Sequence, residues 1–152
     1  MTLEQTRRLV SQLEDHTLQK EQWTHTAHFT VALWYCTQFP LPQAVQKIRK
    51  GIQTYNVSSG GANTDTSGYH ETITLFYIAT ISHYLIIHGI TELTDGQITL
   101  FLQQPFLAKS YIHQYYQTDR LMSKEARHTW TPPDENSTFP YQKRTVANHL
   151  HT

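Results

Sequence analysis

The chain has 152 residues, 38% of them hydrophobic and 12% aromatic, which suits one domain with a ring-rich core and excludes collagen-like or broadly disordered classes. Lysine plus arginine and aspartate plus glutamate number 12 each, so the formal net charge is zero and the basic footprint of a dedicated nucleic-acid binder is missing. The single cysteine, Cys36, excludes an internal disulfide framework.

The small basic clusters, Arg7-Arg8 and Lys47 to Lys50, read as solvated helix faces, so no nucleic-acid partner is expected. Met1 to Arg7 lacks the apolar segment of a secretory leader, and the sequence predicts a cytoplasmic protein. The most apolar stretch, Ile73 to Ile90, is interrupted by His83, His88 and several hydroxyls, which predicts a buried helix and no membrane association.

Helical periodicity runs through the chain. Leu3, Leu9, Val10 and Leu13 mark a first helix ending near Asp15-His16, and a second is predicted over Thr24 to Gln38. Its expected inward stripe is His25, His28, Phe29, Ala32 and Cys36. Cys36 in that apolar stretch reads as a small hydrophobe, because no base stands at helical spacing from it. Pro40 stops this helix, and Pro42 opens the next at its first position. Leu41, Ala44, Val45, Ile48, Ile52 and Tyr55 give that third helix one apolar face, antiparallel to the second.

Asn56 to Ser67 is long for a connection inside a domain and reads as a binding loop or cover. A fourth helix is predicted from Gly68 to His88, with Gly89 just past its end. Thr94 to Gln97 has capping-box spacing and predicts a helix through Gln104. After Pro105, Phe106 to Gln117 continues helically, and Ser123 caps a last helix ending near Trp130. Pro132-Pro133 closes the folded part. The expectation is an all-α, single-domain helical bundle of six or seven helices over residues 1–133, with a polar tail at 134–152 that is draped or disordered.

Three histidines fall where the second and fourth helices begin. His25 and His28 lie three apart and point the same way, and His70 stands at the mouth of the other helix. Three imidazoles with one vacant position make a catalytic zinc pattern, suited also to nickel or iron. Asn63, Thr64, Asp65, Tyr69 and Glu71 would shape the surroundings, Glu71 either orienting a ligand or serving as an N3 cap.

Two helix N-termini repel a bare cation, however, and the same free N–H groups favour the anionic end of a small acid. Neutral histidines there also suit general acid–base work. The plain structural reading stands beside both: buried histidines hydrogen-bonding a loop carbonyl or a carboxylate, with Asn63, Asp65 and Glu71 as partners and Thr24, Thr66 and Ser67 as N-caps. His88 suits the negative end of its helix, His83 a satisfied core position, and His113 an aromatic packing run. His149 and His151 belong to the tail. Trp23 reads as a staple for the second helix, Trp34 as core or partner packing, and Trp130 as a pin for the chain end.

The stretches Trp23 to His28, Val31 to Trp34, Tyr55-Asn56, Asn63 to Thr72 and Trp130 to Asp134 resemble a group of small uncharacterised bacterial proteins. That group carries W-T-H-x-A-H and N-T-D-T-S-G-Y-H-E-T segments. The resemblance spans Leu18 to Asp134 and implies organisation without an activity. The leading expectation is a pocket of His25, His28 and His70 that binds or acts on a small molecule, with a divalent metal as its cofactor. The alternative is a non-enzymatic interaction or structural module, working through an exposed aromatic face or as a homodimer, whose histidines only fasten helices.

Overall fold

The computed structural model describes residues 1–135. Within them, seven α-helices form an all-α fold: α1 (Leu3–Glu14), α2 (His25–Gln38), α3 (Leu41–Ser58), α4 (Glu71–Ile87), α5 (Asp95–Phe101), α6 (Thr118–Leu121) and α7 (Lys124–His128). Among the described residues there is no strand, and no helix is long and apolar enough to cross a membrane.

Two helices are central. α2 packs against α1, α3 and α4, while α4 packs against α2, α3 and α7. Both therefore bury residues around most of their circumference, and neither has a wet face to contrast with a dry one. The fully covered sides of α2 carry Ala27, Val31, Leu33 and Tyr35. The predicted stripe of His25, His28 and Cys36 is only half-buried, although Phe29 and Ala32 on it are buried.

The ends follow from capping chemistry. Thr2 with Gln5 and Thr94 with Gln97 form reciprocal capping boxes on α1 and α5. Thr24 accepts from the Ala27 N–H and starts α2. Leu41 rather than Pro42 is the first residue of α3, so the proline stands one place deeper, still where no intrahelical N–H is needed.

α4 begins three residues later than its sequence predicts. Gly68 has φ +84°, and a Cβ there would stand 2.4 Å from the Ala62 carbonyl oxygen and 2.8 Å from Asn63 Oδ1, so the chain is still turning at that point. The N-cap is His70, not Thr66 or Ser67, and Glu71 is the first helical residue rather than the third.

Phe106 to Gln117 is not one helix. It forms two 3₁₀ turns, Pro105–Leu107 and Tyr111–Gln114, joined through Ala108 in an extended conformation. The break lets the segment serve two cores. Phe106 joins Phe29, Tyr84 and Phe101 in the main one, and Ile112, Tyr115 and Tyr116 surround Phe76 in the smaller. A continuous helix would present one face to one core.

Asp134, expected to open a draped or disordered tail, is docked. Its backbone N–H donates to the Tyr115 carbonyl at 2.8 Å, and its carboxylate takes the Gln117 N–H at 2.8 Å and Arg120 at 2.9 Å. The rest of the predicted tail, with His149 and His151, lies outside the described residues beyond Glu135.

Candidate functional site

The N-terminus of α4 is a fastening point. His70 is buried, its Nδ1 accepts the Ile73 N–H at 3.1 Å, and its Nε2–H donates to the Leu121 carbonyl at 2.8 Å. One neutral tautomer satisfies both bonds, and both ring nitrogens are spent. Burial holds the imidazole below its ordinary pKa; the Leu121 bond opposes that, and Arg127 reinforces it. Two residues on, the fully buried Thr72 hydroxyl donates to the Thr129 carbonyl and accepts the Thr131 N–H, each at 3.0 Å. The chain after α7 is thereby tied to α4.

His25 and His28 do face a common space. They line a cavity of about 370 Å³ between α2, α3 and α4, walled by Phe29, Ala32, Ile48, Ile52, Ile73, Ile78 and Ile81, with Thr74, Tyr77 and Lys109 as its other polar members. Ile48 and Ile52 come from the apolar face of α3, and Ile73, Tyr77 and Ile81 recur at helical spacing on α4.

Each of the two histidines gives one nitrogen to a carbonyl. His25 Nε2 donates to Leu107 at 2.6 Å, and His28 Nδ1 donates to Thr24 at 2.7 Å. A carbonyl can only accept, so these nitrogens carry the hydrogens, and in the neutral rings His25 Nδ1 and His28 Nε2 hold lone pairs. Neither is among the buried side-chain nitrogens lacking a partner, which among the described residues are Trp23 Nε1 and Arg127 Nε. His28 is clamped further by Trp23, whose indole stacks on it with centroids 3.8 Å apart and planes at 27°. Burial lowers the His28 pKa; its bond to Thr24 opposes that, and His25 adds to it. Trp23 thus staples the start of α2 as the sequence predicts, through an imidazole.

The structure does not bring the three histidines into one cavity. His70 is no part of the cavity and has no nitrogen left, so the cavity offers two imidazoles where the zinc, nickel or iron pattern needs three. Among the described residues, no group of three or more histidine, cysteine, aspartate or glutamate side chains is placed to hold a metal ion. Burial pushes the Cys36 thiol up to about 12, which suits a packing role.

The remaining predicted residues assemble elsewhere. Asn63, Thr64, Tyr69 and Glu71 line a separate polar cleft with Arg49, Gln53, Arg127 and His128. Asn63 is a loop organiser: its Oδ1 accepts from Asn56 Nδ2 and the Tyr69 N–H, and its Nδ2 donates to the Gln53 carbonyl, all at 3.0 Å. Thr64 Oγ1 accepts the N–H groups of Thr66 and Ser67. Glu71 takes a two-pronged bond from Arg49, at 2.9 and 3.1 Å, and the Tyr69 hydroxyl at 2.6 Å. Asp65 is outside both spaces and pairs with His128 at 2.7 Å and Lys124 at 3.4 Å. The 59–70 loop therefore borders the polar cleft instead of covering the histidines.

Sequence reasoning missed Arg49, Gln53, Arg127 and His128 in the cleft and Lys109 at the cavity. Arg49 and Glu71 are 22 residues apart, and no local spacing announces such a pair. The isoleucines were legible as apolar faces, but a cavity wall and a packed core have the same periodicity. No protein-family model, curated protein or solved structure matches this chain.

Proposed function

We propose that the protein binds a small, largely apolar molecule carrying one hydrogen-bond donor, in the cavity between α2, α3 and α4. The observation that carries this is the pair of oriented imidazoles in a mostly apolar wall. A few fixed polar groups in a concave apolar site are what positions a small ligand. Both rings are locked as acceptors toward the ligand, His25 through Nδ1 and His28 through Nε2. The head group that matches the two imidazoles is a hydroxyl, phenol or protonated acid. A base of this kind also suits proton removal from the ligand's O–H, with His28 as the acceptor.

A second reading has its own support: all three histidines bond backbone carbonyls, those of Leu107, Thr24 and Leu121. In that reading they hold helices and loops together, and the cavity has no ligand.

Calorimetric titration with para-propylphenol and with its methyl ether separates the two. The proposal expects saturable binding of the phenol and about tenfold weaker binding of the ether, which cannot donate to a histidine nitrogen. Ala32→Leu, which fills the cavity from the middle of α2, should abolish both. Absence of binding, or equal binding by phenol, ether and the Ala32→Leu variant, would favour histidines that only fasten.

A further inference from the structure

The polar cleft is a separate space of about 570 Å³, bounded by α3, the 59–70 loop and α7. Apart from Arg127, its ionisable side chains have partners. Arg49 is bound by Glu71, and His128 is bound by Asp65. Arg127 differs: it makes no ion pair among the described residues. Its Nη1 donates to the backbone carbonyls of Gly68 at 3.1 Å and Tyr69 at 3.4 Å, which holds the guanidinium against the loop. Its Nε–H is buried with no acceptor at all.

With Nη1 committed to the backbone, the fork left over is Nε–H and Nη2–H, two parallel donors whose spacing matches the oxygens of a carboxylate or phosphoryl group. Donors flank it. The Thr64 oxygen accepts from Thr66 and Ser67 and keeps its own O–H to give, and the Gln53 side chain lines the same cleft. Glu71, the one carboxylate in the lining, already accepts from Arg49 and Tyr69.

We propose that this cleft binds a small oxyanion at the unpartnered Nε–Nη2 edge of Arg127, with Thr64 and Gln53 as flanking donors. The site is independent of the histidine cavity: it shares none of its lining residues.

The test is NMR of the full chain, following the Arg127 side-chain N–H during titration with inorganic phosphate, with succinate, and with potassium chloride at matched ionic strength. At least one oxyanion should saturate, move the Arg127 resonance and slow its exchange with water, while chloride does not. A response to phosphate identifies a phosphoryl ligand, and one to succinate a carboxylate. Arg127→Lys keeps the charge and loses the fork, and should weaken binding about tenfold. Gln53→Ala, which leaves the Arg127 backbone bonds in place, should weaken it a few-fold. Neither oxyanion saturating beyond chloride overturns the proposal, as does unchanged binding in Arg127→Lys; if that variant fails to fold, unchanged binding in Gln53→Ala overturns it.

Discussion

The Trp23 indole stacks on the His28 imidazole at 3.8 Å while His28 Nδ1 is held by the Thr24 carbonyl, so the ring is clamped on its face and at one edge. A ring covered this way resists protonation, and its pKa lies below the ordinary 6.5. Proton NMR of the imidazoles should give His28 a midpoint below 6.5, and Trp23→Ala, which uncovers the ring, should move it upward. A midpoint at or above 6.5 in the intact protein contradicts the burial argument.

His70 should make stability pH-dependent. Its folded pKa is below the unfolded 6.5, so the unfolded chain binds the proton first as the solution is acidified. The stabilisation is complete above 6.5 and is lost as pH falls from 6.5 through the folded value. Urea unfolding should show His70→Ala costing about 2–4 kcal/mol at pH 8, from the lost cap and the orphaned Leu121 carbonyl. His70→Asn, which can still cap, should recover about 1 kcal/mol of that. The decline in stability below pH 6.5 should be shallower in both variants than in the parent.

The Arg49–Glu71 bond should matter where the surface pair Arg8–Glu4 does not. Both partners of the first are mostly covered, at 30% and 18% side-chain exposure, against 65% and 86% for the second. Glu71→Gln should cost about 1–3 kcal/mol and Glu4→Gln less than about 0.5 kcal/mol. A double-mutant cycle with Arg49→Met measures the coupling, and a value near zero would remove the pair as an organiser of the α4 start.

Gly68 and Gly60 both have positive φ, +84° and +93°, but differ in surroundings. At Gly60 an added Cβ meets nothing, so alanine there carries only the backbone penalty, about 1 kcal/mol. At Gly68 it collides with the Ala62 carbonyl and Asn63, so Gly68→Ala should cost at least about 1 kcal/mol more and disturb the 59–70 loop. Equal melting shifts for the two variants would contradict the tight turn.

These particulars show what one sequence can and cannot reveal. The helices were legible because Thr24, Thr94 and Ser123 cap them by local rules and apolar residues recur at helical spacing. Local rules failed where distant partners decide. The histidine at the α4 mouth was legible, yet its partner Leu121 lies 51 residues away, and no local pattern announces that bond. His25 and His28 line one cavity because residues three apart on a helix share a side. The segment Asn63 to Thr72 looked like one site with them, but its Arg49 and Arg127 partners draw it to a different face of α3.

The central claim is that the unprotonated nitrogens of His25 and His28 receive a ligand's hydrogen-bond donor. It is tested most directly by imidazole nitrogen NMR during titration with para-propylphenol. His28 should show Nδ1 protonated and Nε2 unprotonated in the free protein, and the Nε2 resonance should move toward the hydrogen-bonded range as the phenol saturates while His70 stays unchanged. A His28 ring protonated on Nε2 in the free protein would contradict the account, as would a phenol that binds and leaves both cavity imidazoles unmoved.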